Sequence, residues 1–159
     1  MARLDEVARV LARRRAGKRV VLANGCFEIL HVGHVRYLEA ARAEGDLLVV
    51  AVNDDRSVAA LKGAGRPIVN EADRLRIVAA LSAVDVAFLF DGNDVNAVLR
   101  TIKPDVHAKG TDYTEETVPE RETTRALGAV TRIVGDPKTH ATRDLIARIE
   151  SLRGASAPG

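Results

Sequence analysis

The stretch that decides the fold runs from Arg19 to Val52. It opens with Arg19-Val-Val-Leu-Ala-Asn-Gly25, passes through His31-Val-Gly-His34 into a segment ending at Ala43, and closes with Gly45-Asp-Leu-Leu-Val-Val-Ala-Val52. The first run is short, apolar and free of alternation, the pattern of a strand buried on both faces of a parallel sheet. From His31 to Ala43, the residues Val32, Val35, Leu38 and Ala41 recur at three-residue intervals and Gly45 follows, so the spacing predicts a helix. Leu47 to Val52 reads as a second buried strand. Strand, helix, strand makes a βαβ unit with a right-handed crossover.

The alternation extends outward in both directions. Upstream, Leu4, Val7, Ala8, Val10 and Leu11 have helical spacing and Gly17 is a stop. Downstream, Asp54 to Asn70 is polar and broken by Gly63, Gly65 and Pro67, which predicts a short helix and a loop before a helix over Glu71 to Ser82. Further strands are expected over Val84 to Phe90, Asp105 to Lys109 and Ala129 to Val134, with helices near Asp94 to Ile102 and up to Leu152. Residues 1–153 are expected to form one domain and 154–159 a disordered tail. The whole predicts an α/β, Rossmann-like doubly wound sandwich with a parallel five-stranded sheet. Ligands of such sheets bind beyond the carboxyl ends of the strands, where the winding reverses.

Composition excludes several classes. Hydrophobic residues are 47% of the chain, enough to fold, while aromatics are 3% without Trp. The core is therefore expected to be aliphatic, and a base-stacking surface for single-stranded nucleic acid is not expected. A net charge of +2 favours anionic small molecules but gives no duplex-binding footprint. The one basic cluster, Arg13 to Arg15, reads as the solvated end of the first helix. Cys26 is the single cysteine, so no internal disulfide forms; Met1 to Glu6 lacks a secretory apolar stretch, and no run is long enough to span a bilayer. These features predict a cytoplasmic protein with neither nucleic-acid nor membrane partners.

The chemistry concentrates in Asn24-Gly-Cys-Phe-Glu-Ile-Leu-His-Val-Gly-His34, between the first strand and its helix. His31 and His34 are three apart at a helix start, so both project beside the free first-turn N–H groups and the positive dipole end. That is an anion site with two added donors. Gly33 leaves no side chain against an approaching phosphate, and Gly25 is expected to allow the tight turn out of the strand. The chain carries neither a dinucleotide fingerprint nor a Walker A loop, so this is a third kind of phosphate device. Zinc needs three or four ligands and the sequence assembles no such set, so no protein metal site is expected. Cys26 has no base or acid placed beside it by sequence and is a weak candidate nucleophile.

These residues resemble the cytidylyltransferase-like family of nucleotidyltransferases, whose signature is His-x-Gly-His after the first strand. The likeness runs nearly end to end and looks closest to the branch that adenylylates heptose 1-phosphate, through Ala23 to His34, Val52-Asn-Asp-Asp55, Leu61-Lys-Gly63, Arg66-Pro67 and Val84-Asp85. Cytidylyltransferases of glycerol 3-phosphate and ethanolamine phosphate share these marks more distantly.

The resemblance implies a site. Cys26 and Phe27 would line the nucleotide pocket, His31 and His34 would hold the triphosphate and the transition state, and Lys62 would be a phosphate-binding lysine. Lys109-Gly-Thr-Asp-Tyr113 corresponds to the family's Lys-Gly-x-Asp-Tyr, and Asp136-Pro-Lys-Thr-His-Ala-Thr-Arg143 to its nucleotide loop, which adds Lys109, Lys138, Thr142 and Arg143. The chain departs from the family's pattern in places, among them the segment Tyr113 to Glu122, which is unlike the heptose branch. Relatives carry hydroxyl residues where this chain has Ala141-Thr142-Arg143, so only Thr142 keeps one and Arg143 can supply charge instead; Glu28 replaces the usual Asp. The implied substrates are a nucleoside triphosphate, ATP ahead of CTP, and a small phosphorylated metabolite, with Mg2+ bridging triphosphate oxygens and a homodimeric enzyme. A non-catalytic nucleotide-binding module is the alternative of another class. For Arg74 and Arg76 the expectation is surface pairing with nearby acids.

Overall fold

The computed structural model describes residues 4–92, 95–137 and 142–155. Among these, five strands form one all-parallel sheet in the order β3-β2-β1-β4-β5: β1 (Val20–Gly25), β2 (Leu47–Asn53), β3 (Val86–Phe90), β4 (Val106–Lys109) and β5 (Val130–Ile133). The chain winds outward from β1 through β2 to β3, then returns to the far side of β1 for β4 and β5. The reversal falls between β1 and β4, where Val21 pairs with Val106 and Ala23 with Ala108. The expected Rossmann-like architecture is present.

Helices cover both faces because successive strand residues point to opposite sides. Val20 and Leu22 pack with α1 (Leu4–Arg14) and α5 (Asn96–Ile102), through Val7, Leu11, Val98 and Leu99. Val21 and Ala23 pack with α2 (Val32–Ala43) and α4 (Glu71–Ala79), through Leu38, Ala41 and Val78. All seven residues of β2 are buried, as its unbroken apolar run requires. Phe27, Phe88 and Phe90 are also buried, so the core is not purely aliphatic.

Three local readings need correction. Arg14 and Arg15 are not simply solvated: Arg14 donates to the Asp85 carbonyl and pairs with its carboxylate, while Arg15 donates to the Ile102 and Lys103 carbonyls at the end of α5. A helix unforeseen by periodicity, α6 (Arg121–Ala126), precedes β5. The final helix, α7 (Thr142–Ala155), extends past the expected start of the tail, whose residues 156–159 lie outside the described residues. The remaining helix, α3 (Asp55–Lys62), is the short one expected after β2, capped by Asp54 accepting from the Ser57 N–H at 2.7 Å. Among the described residues no helix is long and apolar enough to cross a membrane.

Candidate active site

Beyond the carboxyl ends of β1 and β4 lies a cleft of about 590 Å³, within the range of small-molecule sites. Gly25, Cys26, Phe27, His31, Gly33, His34, Lys62, Lys109, Thr142 and Arg143 all line it. Residues distant in sequence thus converge at the switch point of the sheet. Lys138 and Ala141 lie outside the described residues.

The two histidines begin α2 as a reciprocal cap. His31, in extended conformation at the N-cap, accepts the Gly33 N–H on Nδ1 at 3.1 Å, and His34 Nδ1 accepts the His31 N–H at 3.4 Å. Their rings stack with centroids 3.9 Å apart, and Phe27 meets the His34 ring edge-on at 5.3 Å. An accepting Nδ1 places the proton of each neutral imidazole on Nε2, so the Nε2–H edges become the donors. The expected free amides are mostly consumed: Gly33 N–H goes to His31, and the His34 and Val35 N–H groups both reach the His31 carbonyl. What this helix start offers an anion is therefore the imidazole donors and the positive dipole end.

The turn out of β1 is made differently from expectation. Phe27, not Gly25, adopts the left-handed backbone, with φ 46°. Gly25 is needed for space, because a Cβ there would sit 3.2 Å from the Phe27 ring. Arg74 secures this turn from below and is buried, not at the surface. Its guanidinium donates to the Cys26 carbonyl at 2.6 Å, the Val69 carbonyl at 2.9 Å and Asp55 Oδ1 at 2.9 Å. Pairing with an acid is thus correct but burial was missed. Burial pushes the Cys26 thiol up against the opposing pull of Lys62 and Arg74, which leaves it a poor nucleophile at neutral pH.

Glu28 is the organiser that sequence left without a role. Its buried carboxylate takes both prongs of Arg66, accepts the Ile68 N–H at 3.1 Å and lies 3.3 Å from Lys62 Nζ. Burial opposes its ionisation, but the hydrogen bonds from Arg66, Ile68 and Lys62 outweigh it and hold the carboxyl down at about 2. One carboxylate thereby fastens the 63–70 loop to the α2 approach and presents Lys62 to the cleft.

Across the switch point a polar chain joins β1 to β4. Asn24 Oδ1 receives Lys109 Nζ at 3.4 Å and faces His107 Nε2 at 3.2 Å, and Lys109 Nζ lies 3.3 Å from Glu120 Oε2. Burial, aided by the Lys109 charge, holds His107 down at about 3, so it stays neutral in the fold. Unfolded, the imidazole protonates near 6.5, so between about 3 and 6.5 the unfolded chain binds the extra proton and stability falls as pH falls. We expect His107 to steepen acid destabilisation by about tenfold in the unfolding constant per pH unit within that window. Chemical denaturation of wild type and His107→Gln from pH 7 to 4 should show the slope reduced in the variant; parallel curves would contradict it.

Glu28, Arg66, Arg74, Asn24, His107 and Glu120 were not identified as site-building residues from sequence, because the side chains they pair with lie 11 to 85 residues away. Arg66 was noted as part of Arg66-Pro67, but nothing local tied it to Glu28.

The chain belongs to the cytidylyltransferase-like family of nucleotidyltransferases, whose model matches residues 22–151. It is 45% identical over 145 residues to the bifunctional protein HldE of Methylobacillus flagellatus, covering 91% of this chain and 30% of that protein. The HldE of Geotalea uraniireducens is 44% identical over 149 residues, covering 93% and 30%. The chain thus spans about 30% of the length of these relatives. Among solved structures, it resembles the lipopolysaccharide core biosynthesis protein of Thermoplasma volcanium, with a TM-score of 0.63 and 31% identity over 76% of this chain and 100% of that one.

Proposed function

We propose that the chain transfers the adenylyl group of ATP to a sugar phosphate, with heptose 1-phosphate the foremost acceptor, and releases pyrophosphate. The observation that carries this reading is the stacked His31–His34 pair, with both Nδ1 atoms tied to the backbone, in one cleft with Lys62. Such an array binds and neutralises a polyphosphate; it contains no activated nucleophile.

None is required. A phosphate monoester is largely ionised at neutral pH, so its oxygen attacks the α-phosphorus without a general base. A bond forms from that oxygen to the α-phosphorus, the bond to the bridging β-phosphate oxygen breaks, and pyrophosphate leaves with the electron pair. His31 and His34 donate Nε2–H to oxygens whose charge grows in the transition state, and Lys62, delivered by Glu28, neutralises the phosphates. The cleft carboxylates Glu28, Glu120 and Asp136 already face cations, and among the described residues no three His, Cys, Asp or Glu side chains are grouped to hold an ion. Magnesium would enter with the nucleotide as MgATP and offset charge on its phosphates.

Pyrophosphate release with MgATP or MgCTP against heptose 1-phosphate, glycerol 3-phosphate and ethanolamine phosphate tests substrate choice. ATP with heptose 1-phosphate should give the highest kcat/KM. A CTP preference with an alcohol phosphate would overturn the substrate assignment, and release without any acceptor would indicate a hydrolase. Nucleotide binding with no turnover for any pair would favour a sensing module.

A further inference from the structure

Lys62 at the end of α3 and Arg66 in the loop that follows converge on one carboxylate, and they hold it unequally. The side chain of Glu28 is fully buried, that of Arg66 is 25% exposed and that of Lys62 35%. Glu28 Oε1 accepts Arg66 Nε and the Ile68 N–H at 3.1 Å, while Oε2 accepts Arg66 Nη2 and also faces Lys62 Nζ at 3.3 Å. Arg66 thus grips both oxygens in a planar fork, the stronger form of charge-assisted pairing. Lys62 has one contact, on an oxygen that Arg66 already occupies. Glu28 and Lys62 line the cleft, whereas Arg66 is not among its lining residues. Among the described residues, the segment 64–68 makes its hydrogen bonds and ion pairs with Glu28 alone.

Two cations about one anion repel each other, so the less firmly held one is the one free to leave. Without Arg66, the buried carboxylate would have Lys62 as its one cation and would retain it, because a buried charge left unpartnered is costly. We infer that Arg66 is a positioning residue: by taking both oxygens of Glu28 it leaves Lys62 loosely held on the cleft wall, ready to pass to a polyphosphate. The inference rests on the reading of Lys62 as a phosphate-binding group and deepens it; Arg66 itself touches no substrate.

Calorimetric binding of inorganic tripolyphosphate tests this whether or not turnover occurs. Arg66→Gln should weaken binding about threefold to fivefold, the scale of a partly exposed ion pair. Removing the carboxylate as well, in Glu28→Gln/Arg66→Gln, should return affinity to within about twofold of wild type, because nothing then competes with phosphate for Lys62. A direct contact between Arg66 and phosphate predicts no such recovery, and neither does a merely loosened loop. Should the double variant not fold, the rate at which acetic anhydride acylates Lys62, read by mass spectrometry in Arg66→Gln, asks the same question with Glu28 in place. An ammonium gripped by Glu28 should react about threefold more slowly than in wild type, whereas a loosened loop would make it react faster. Unchanged affinity in Arg66→Gln, persistent weakness in the double variant, or Lys62 acylation that is unchanged or faster overturns the inference. Lys62→Met separates the underlying reading: tripolyphosphate bound as tightly as by wild type would remove Lys62 as a phosphate ligand, and the acylation rate would still decide whether Arg66 loosens it.

Discussion

His34→Ala lowers kcat by at least about 10²-fold while the protein remains folded. An imidazole that donates to charge developing in the transition state is worth about 10²- to 10³-fold in rate. The same ring also caps α2, accepting the His31 N–H, and loss of a cap costs about 1 kcal/mol of stability. The two roles separate in His34→Gln, because glutamine at this position can complete a capping box but offers no imidazole. Thermal melting should recover in His34→Gln relative to His34→Ala, whereas turnover should not. Near-normal turnover in either variant would remove His34 from the transition state.

Arg74→Met should be the most destabilising single change in the site, by roughly 3 kcal/mol or more. It removes the donor of the part-buried Cys26 and Val69 carbonyls, releases Asp55 and empties the buried space the guanidinium fills; a group left unpaired away from water costs up to about 1–3 kcal/mol. For a chain of this size that corresponds to a melting temperature lower by roughly 10 °C. Nucleotide KM should rise with it, because the Cys26 carbonyl anchors the turn that carries Phe27 under His34. Arg74→Lys should not rescue, since one ammonium cannot reach three separately placed acceptors as the guanidinium fork does. A melting temperature within about 2 °C of wild type would contradict this assignment.

What could be read ahead of the structure was whatever repeats locally. The β1–α2–β2 unit was legible because its strands are unbroken apolar runs and its helix repeats apolar residues every three positions, and the two histidines because they fall within one turn. Helix α6 escaped because Arg121-Glu-Thr-Thr-Arg-Ala126 buries only Thr124 and has no apolar period. The turn was misassigned to Gly25 because glycine is the usual bearer of left-handed backbone, whereas Phe27 takes that conformation to place its ring in the core and against His34. Arg74, Glu28 and Glu120 could not be interpreted singly: a charged residue reads as surface until its partners are known, and theirs come from other elements.

The assignment meets its most direct test in the fate of ATP labelled at the α-phosphate, incubated with magnesium, the purified chain and heptose 1-phosphate. Label should enter a nucleotide–sugar product one for one with pyrophosphate released, and neither should form when the acceptor is omitted. Label recovered as AMP, or pyrophosphate released without acceptor, would contradict transfer between phosphates as the reaction of this cleft.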